Sequence, residues 1–210
     1  MIETQMFDNR QSRGEIYPLL PTGTGKLLEL FAGSRSVGSE AEAMGMEVFS
    51  VDWQKFDKIN LVKDIGELTL NDVPFIPDVV WASPDCTTYT IAAISTHRNG
   101  TEPKSEYAKK CDQVNVHFIG LIKEWLKLNP NMVFFIENPR GMLRKMPFMQ
   151  EFKRHTIWYC QYGDDRAKPT DIWSNSQTWK PRPVCHNGNK NCHHTPAPRE
   201  SFADVGGTGG

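Results

Sequence analysis

Two stretches of this chain carry residues that could do covalent chemistry. Cys86 lies in Trp81-Ala82-Ser83-Pro84-Asp85-Cys86-Thr87-Thr88-Tyr89, directly after the apolar run Pro77-Asp78-Val79-Val80-Trp81. Such a run reads as a buried strand. The loop at a strand's C-terminal end is where an open α/β sheet places its reacting groups. Sulfur is a strong nucleophile even when little of it is thiolate. The second stretch is Met132-Val133-Phe134-Phe135-Ile136, which ends in Glu137-Asn138-Pro139. Both residues stand at the ends of apolar runs, where such a sheet would gather a site. Taken singly, Cys86 also reads as a buried thiol and Glu137 as a strand-end cap. The pairing is what points to chemistry.

The elements around them suggest how they are positioned. Lys26-Leu27-Leu28-Glu29-Leu30-Phe31 reads as a first strand, ending at Ala32-Gly33-Ser34, with a helix over roughly 36–45. Glu47-Val48-Phe49-Ser50-Val51 reads as a strand ending at Asp52, residues 78–82 as the next, and 132–136 and 156–160 as two more. Residues 104–128 carry the helical pattern Val114, Phe118, Leu121, Ile122, Trp125, Leu128, stopped by Asn129-Pro130. Residues 87–102 read as a long polar loop and 141–152 as a short helix. Alternating strands and helices predict an α/β fold, a Rossmann-like doubly wound mostly parallel sheet, with a small irregular C-terminal appendage. Four strands then end in Gly33, Asp52, Asp85/Cys86 and Glu137, which should converge on one edge. The expected organisation is an N-terminal arm over 1–25, a catalytic domain over 26–175 and a Cys/His- and Gly-rich segment over 176–210.

Strand–Phe31-Ala32-Gly33–helix has the form of a nucleotide-binding turn, in which Gly33 lets the backbone bend sharply and approach a ligand. The continuation Ser34-Arg35-Ser36-Val37-Gly38 is not G-x-G-x-x-G, so a dinucleotide is disfavoured. Asp52, nineteen residues beyond Gly33, could accept hydrogen bonds from ribose hydroxyls. Trp53 could stack on an adenine and Asp64 could accept from its amino group. Read separately, these are a turn glycine, a capping acid and a core aromatic.

In these motifs and their order the chain resembles the cytosine-C5 DNA methyltransferases, especially small phage-type members. Leu28-Glu29-Leu30-Phe31-Ala32-Gly33 is similar to their first motif, Val51-Asp52-Trp53 to the second and Lys63-Asp64-Ile65 to the third. Ser83-Pro84-Asp85-Cys86 resembles the Pro-Cys nucleophile loop, and Phe135-Ile136-Glu137-Asn138-Pro139 the Glu-Asn motif. Tyr162-Gly163-Asp164-Asp165-Arg166-Ala167-Lys168 is similar to the Gln-x-Arg-x-Arg motif. The resemblance runs in the family's order over about 26–175. It implies a SAM-dependent methyltransferase fold and S-adenosylmethionine at Phe31, Ala32, Gly33, Ser34, Asp52, Trp53, Asp64, Ile65 and Pro84. Catalysis would use Cys86 as nucleophile, Glu137 at the N3/N4 edge of the base, Asn138 to hold the loop and Arg166 at the base O2. DNA would be the partner, with the target base flipped out and His97, Arg98 and Lys104 of a covering loop on phosphate. Three departures stand out. Gly33-Ser34-Arg35 replaces Gly-x-Gly, which makes the cofactor loop bulkier. Asp85 replaces the Pro before the nucleophile, which should raise the thiol pKa unless Arg166 or Lys168 offsets it. No large target-recognition region follows, which leaves room for a second subunit. The alternatives are a C5 methyltransferase acting on RNA or another pyrimidine, and a catalytically weak partner subunit or nucleic-acid-binding protein.

Cys185-His186 and Cys192-His193-His194 form a second concentration of chemistry: two Cys-His pairs, Cys185-His186 and Cys192-His193, could supply four ligands to Zn²⁺. The spacing matches no standard finger, and Cys160 or Cys111 could replace one ligand.

At 210 residues the chain is long enough for a proper core without disulfides. Its formal net charge of −1 does not advertise nucleic-acid binding in bulk, though a local basic surface is compatible with it. Five unevenly spaced cysteines suit reduced thiols. The polar start Met1-Ile2-Glu3-Thr4-Gln5 is unlike a secretory signal, and no apolar run has membrane length. A cytoplasmic location, in a bacterium or a phage-infected host, is the expectation.

Overall fold

The computed structural model describes residues 25–196. Five parallel strands form its centre: β1 (Lys26–Leu30), β2 (Glu47–Asp52), β3 (Leu61–Val62), β4 (Val79–Ala82) and β7 (Val133–Pro139). β8 (Arg154–Trp158) and β9 (Pro169–Ser174) complete a seven-stranded sheet of order β3-β2-β1-β4-β7-β9-β8. β9 runs antiparallel to both of its neighbours. The strand order reverses between β1 and β4, which makes this a Rossmann-like doubly wound sheet, as the alternation of elements predicts.

The strands form because their apolar residues serve two faces in turn. Leu28 and Leu30 of β1 and Val80 and Ala82 of β4 enter one buried cluster, while Leu27, Val79 and Trp81 enter another. Side chains alternate across a pleated strand, so these near-continuous apolar runs need a cover on both sides. α1 (Ser36–Ala43) brings Val37 and Ala41 to one cluster. α3 (Glu106–Leu128) brings Phe118, Ile122 and Trp125 to the other at helical spacing. The Ser105 side chain caps α3 by accepting from the Ala108 N–H at 3.1 Å, and the helix stops at Asn129 before Pro130.

Several expectations need correction. Residues 87–102 are not a simple loop. They form a 3₁₀ turn (Thr87–Tyr89), the short helix α2 (Ile94–His97) and a hairpin of β5 (Arg98–Asn99) and β6 (Glu102–Pro103). Two 3₁₀ turns (Met142–Lys145 and Pro147–Met149) replace the short helix over 141–152. The strand read over 156–160 ends at Trp158, leaving Cys160 in a 3₁₀ turn (Tyr159–Tyr162). β9 is absent from the sequence reading because its centre is polar: Asp171 is fully buried. Arg144 binds that carboxylate at 2.5 and 2.8 Å, Thr156 Oγ1 donates to it at 2.8 Å, and Arg154 approaches at 3.3 Å. A paired buried acid is tolerated where a lone one is not.

The sheet spans Lys26 to Ser174, and residues 175–196 contain no helix or regular strand. The expected N-terminal arm, apart from Gly25, and the Gly-rich end lie outside the described residues. No described helix is long and apolar enough to cross a membrane.

Candidate active site

β2, β1, β4 and β7 are consecutive parallel neighbours, so their C-terminal ends share one edge. Asp52, the turn Phe31-Ala32-Gly33, the loop Ser83–Cys86 and Glu137 therefore line up there, as predicted. Pairing of Ala82 with Ile136 sets the start of the Cys86 loop beside Glu137. The Asn138 side-chain amide donates to the Pro84 carbonyl at 2.8 Å, which ties the two strand ends together. The Tyr159 hydroxyl donates to Glu137 Oε1 at 3.1 Å, and Glu137 itself is buried.

Three of the five residues Phe31–Arg35 have left-handed backbones: Phe31 (φ 57°), Gly33 (φ 49°) and Arg35 (φ 58°). Left-handed geometry is easy for glycine and strained for the other two, a pattern concentrated at ligand sites. Arg35 occupies the second-glycine position, yet it does not fill the turn. Its side chain folds back and is buried, with Nε donating to Ser50 Oγ at 2.9 Å and Nη2 to Glu42 at 2.5 Å. The expected bulk is therefore displaced behind the turn. What remains is a concavity of about 170 Å³ at the β1/β4 reversal, lined by residues that include Glu29, Phe31, Gly33, Ser36, Trp81 and Ser83.

Asp52 Oδ2 accepts from the Gly33 N–H at 2.9 Å and Oδ1 from the Gln54 N–H at 2.8 Å. One N–H on each oxygen leaves further acceptor capacity. Trp53 is 65 % exposed beside it, a large apolar surface available for stacking. Asp64 is more committed: it accepts from the Gly66 N–H at 2.8 Å and pairs with Lys110 at 3.0 Å. Ile65 is buried in the core and offers the pocket no side chain.

Cys86 is half-buried. Burial, and then the charges of Asp85 and Glu137, push its thiol up from the ordinary value, while Lys168 pulls it back. Asp85 stays ionised beside it. Burial opposes that charge, but hydrogen bonds from Thr87 and from the Tyr107 hydroxyl outweigh it and hold the carboxyl low. Of the two cations proposed to offset Asp85, Lys168 acts on the thiol. Arg166 does not: it is 72 % exposed and locked to Asp164 through contacts of 2.7 and 3.0 Å.

Arg98 was expected on DNA phosphate but is buried. It donates to both Asp112 oxygens at 2.6 and 3.0 Å and to Thr88, and lies over the Tyr89 ring at 4.2 Å. The Tyr89 hydroxyl also donates to Asp112 at 2.6 Å and accepts from Asn115 at 2.8 Å. This network fastens the chain just after Cys86 to α3. Arg98 and Asp112, with opposite charges fourteen residues apart, were the available signal, but a cation in a polar stretch reads as surface. His97 bonds Ser105 at 2.8 Å, and Lys104 remains exposed.

The predicted metal ligands separate. Cys185 and Cys192 lie together, but His186 is exposed with Nδ1 near its neighbour's carbonyl, and His193 Nε2 bonds the Asp164 carbonyl at 3.0 Å. Cys160 and His194 take their places.

No protein-family model matches the chain, nor does any curated protein. Among solved structures it is similar to a TehB-like SAM-dependent methyltransferase from Corynebacterium glutamicum, at 11% identity and TM-score 0.46, over 82% of this chain and 85% of that one. It is also similar to precorrin-6y C5,15-methyltransferase from Geobacter metallireducens, at 14% identity and TM-score 0.42, over 74% and 81%. A third is magnesium protoporphyrin IX methyltransferase from Synechocystis with bound SAM, at 11% identity and TM-score 0.39, over 73% and 70%.

Proposed function

We propose that the chain is an S-adenosylmethionine-dependent methyltransferase acting on cytosine C5 in DNA through a covalent bond from Cys86. One observation carries the reading: the Ala82–Ile136 pairing and the Asn138–Pro84 bond put the thiol loop and Glu137 side by side, next to the left-handed turn at the strand reversal. The residues suit such a cofactor. Arg35 leaves the turn open, Asp52 retains acceptor capacity toward a ribose, and Trp53 presents a bare ring face. When bound, the cofactor supplies an electrophilic methyl group on a sulfonium.

Cytosine C5 is too electron-poor to attack that methyl group unaided. The Cys86 sulfur adds to C6, forming the S–C6 bond and moving the C5=C6 electron pair toward C5. Glu137 hydrogen-bonds the N3/N4 edge and places a proton on N3, which neutralises the charge arriving in the ring. C5 could then accept the methyl group as its bond to the cofactor sulfur breaks. A base removes the C5 proton, that pair re-forms C5=C6, the N3 proton returns to the Glu137 carboxylate, and the S–C6 bond breaks to return the thiolate. Lys168 favours the thiolate at both ends of this cycle. Arg166 reaches the base O2 only after leaving Asp164. In duplex DNA the base is first flipped out.

The test uses DNA containing 5-fluorocytosine, whose C5 lacks a removable proton, so that the adduct persists. With S-adenosylmethionine, a denaturing gel and mass spectrometry should show a covalent complex that Cys86→Ala abolishes. A second reading, a catalytically weak partner subunit, draws on the ionised Asp85 against the thiol. Cofactor binding with no adduct on DNA or RNA would select it, and an adduct on RNA alone would move the substrate class.

A further inference from the structure

Cys160, Cys185, Cys192 and His194 bring one donor atom each to within 4.8 Å of all the others. Cys160, Cys185 and His194 are buried and Cys192 is half-buried. Cys185 Sγ lies 3.8 Å from His194 Nδ1. A tetrahedron with bonds of roughly 2.0–2.3 Å has edges of roughly 3.4–3.8 Å, so a small contraction of this group completes one. Three further features point the same way. The buried His194 ring turns Nδ1 to Cys185 Sγ and has no hydrogen-bond partner for Nε2 among the described residues, so the thiol cluster is what its polar atoms face. The amide of Gln161 points at Cys192 Sγ (3.5 Å) and Cys160 Sγ (3.9 Å), and that of Asn189 at Cys185 Sγ (3.4 Å). Amide donors on sulfur are the outer shell a thiolate–metal site requires. Three mutually close thiols also leave one sulfur over in any disulfide, whereas a metal uses all of them.

We propose that these four residues bind one Zn²⁺ as a closed Cys₃His structural site. Soft sulfur with one imidazole selects zinc over magnesium or calcium, and four protein ligands leave no open position for chemistry. The site explains how residues 175–196 hold a fixed path without helix or strand. It also reaches the catalytic edge. Cys160 stands next to Tyr159, whose hydroxyl donates to Glu137, and Thr195, next to His194, donates its N–H to the Asp165 carbonyl at 2.9 Å. The metal thus fastens both ends of the Tyr159–Lys168 loop.

The test is the metal content of the full chain, purified under reducing conditions from zinc-supplemented cells and dialysed. Plasma mass spectrometry should find one zinc per chain, released stoichiometrically by a mercurial reagent. Refolding with Co²⁺ should give thiolate-to-cobalt charge-transfer absorption. Cys192→Ser should lose tight binding, while His186→Ala and His193→Ala should keep full stoichiometry. Substoichiometric zinc together with no charge-transfer band in the unmodified chain would overturn the proposal, whatever the variants do. So would retention of one tightly bound zinc by a folded chain in which Cys160, Cys185 and Cys192 are all alkylated.

Discussion

Asn138 and Pro84 are 54 residues apart, yet the Asn138 amide donates to the Pro84 carbonyl at 2.8 Å inside the protein. The bond joins the end of β7 to the loop that carries Cys86. Asn138→Ala leaves a buried carbonyl unpaired, which costs about 1–3 kcal/mol. Expected outcomes are a lower urea midpoint and a covalent-adduct rate reduced about tenfold or more, since misplacing a reacting group by a fraction of an ångström is enough. Stopped-time adduct assays on the folded variant check this.

Gly141 makes the second link between the same segments. A Cβ there would fall well inside contact distance of the Tyr89 carbonyl oxygen, which belongs to backbone and cannot swing aside. Gly141→Ala should push the Thr87–Tyr89 turn away from β7 and destabilise the fold by about 1–3 kcal/mol. Thermal unfolding and the adduct rate should fall together.

Cys86 gives a pH prediction. Its pKa is raised, so its thiolate fraction at neutral pH is small and climbs about tenfold per pH unit until the raised value is reached. Alkylation of Cys86 by iodoacetamide, followed by peptide mass spectrometry, should therefore still be accelerating where an ordinary thiol near 8.5 has levelled off. Asp85→Asn removes one of the charges that raise the pKa. Its profile should move to lower pH and its rate at neutral pH rise several-fold. Lys168→Met should shift it the other way.

Arg98 and Asp112 should dominate local stability. Removing one partner of a buried pair leaves the other charge uncompensated, at about 3–5 kcal/mol. Arg98→Met should show that loss by chemical denaturation. Tyr89→Phe, which deletes one hydroxyl from the same network, should lose about 1–3 kcal/mol.

These residues also show what could be read from the chain alone. β1, β2, β4 and β7 are legible because a strand covered on both faces is written as an unbroken apolar run, and their polar ends fall on one edge by topology. β9 is hidden because Asp171 is made tolerable by Arg144 and Arg154, which lie far from it in sequence. Arg98 was misplaced for the same reason: a partner in space, not composition, decides whether a cation is buried. Of the two adjacent histidines, His194 rather than His193 faces the thiols, because the His193 ring is turned to the Asp164 carbonyl, a partner distant in sequence. Cys160, one of the two thiols the sequence offers as a replacement ligand, does join the group, from a 3₁₀ turn just past the end of β8.

The bond from Thr195 back to Asp165, and the meeting of His194 with Cys160, have a consequence during synthesis. The sheet can form once Ser174 has emerged from the ribosome, but the loop beside Glu137 lacks its last contacts until about twenty more residues follow. A nascent chain arrested between those points would have a finished sheet and an edge beside Glu137 still lacking the contacts of Thr195 and His194.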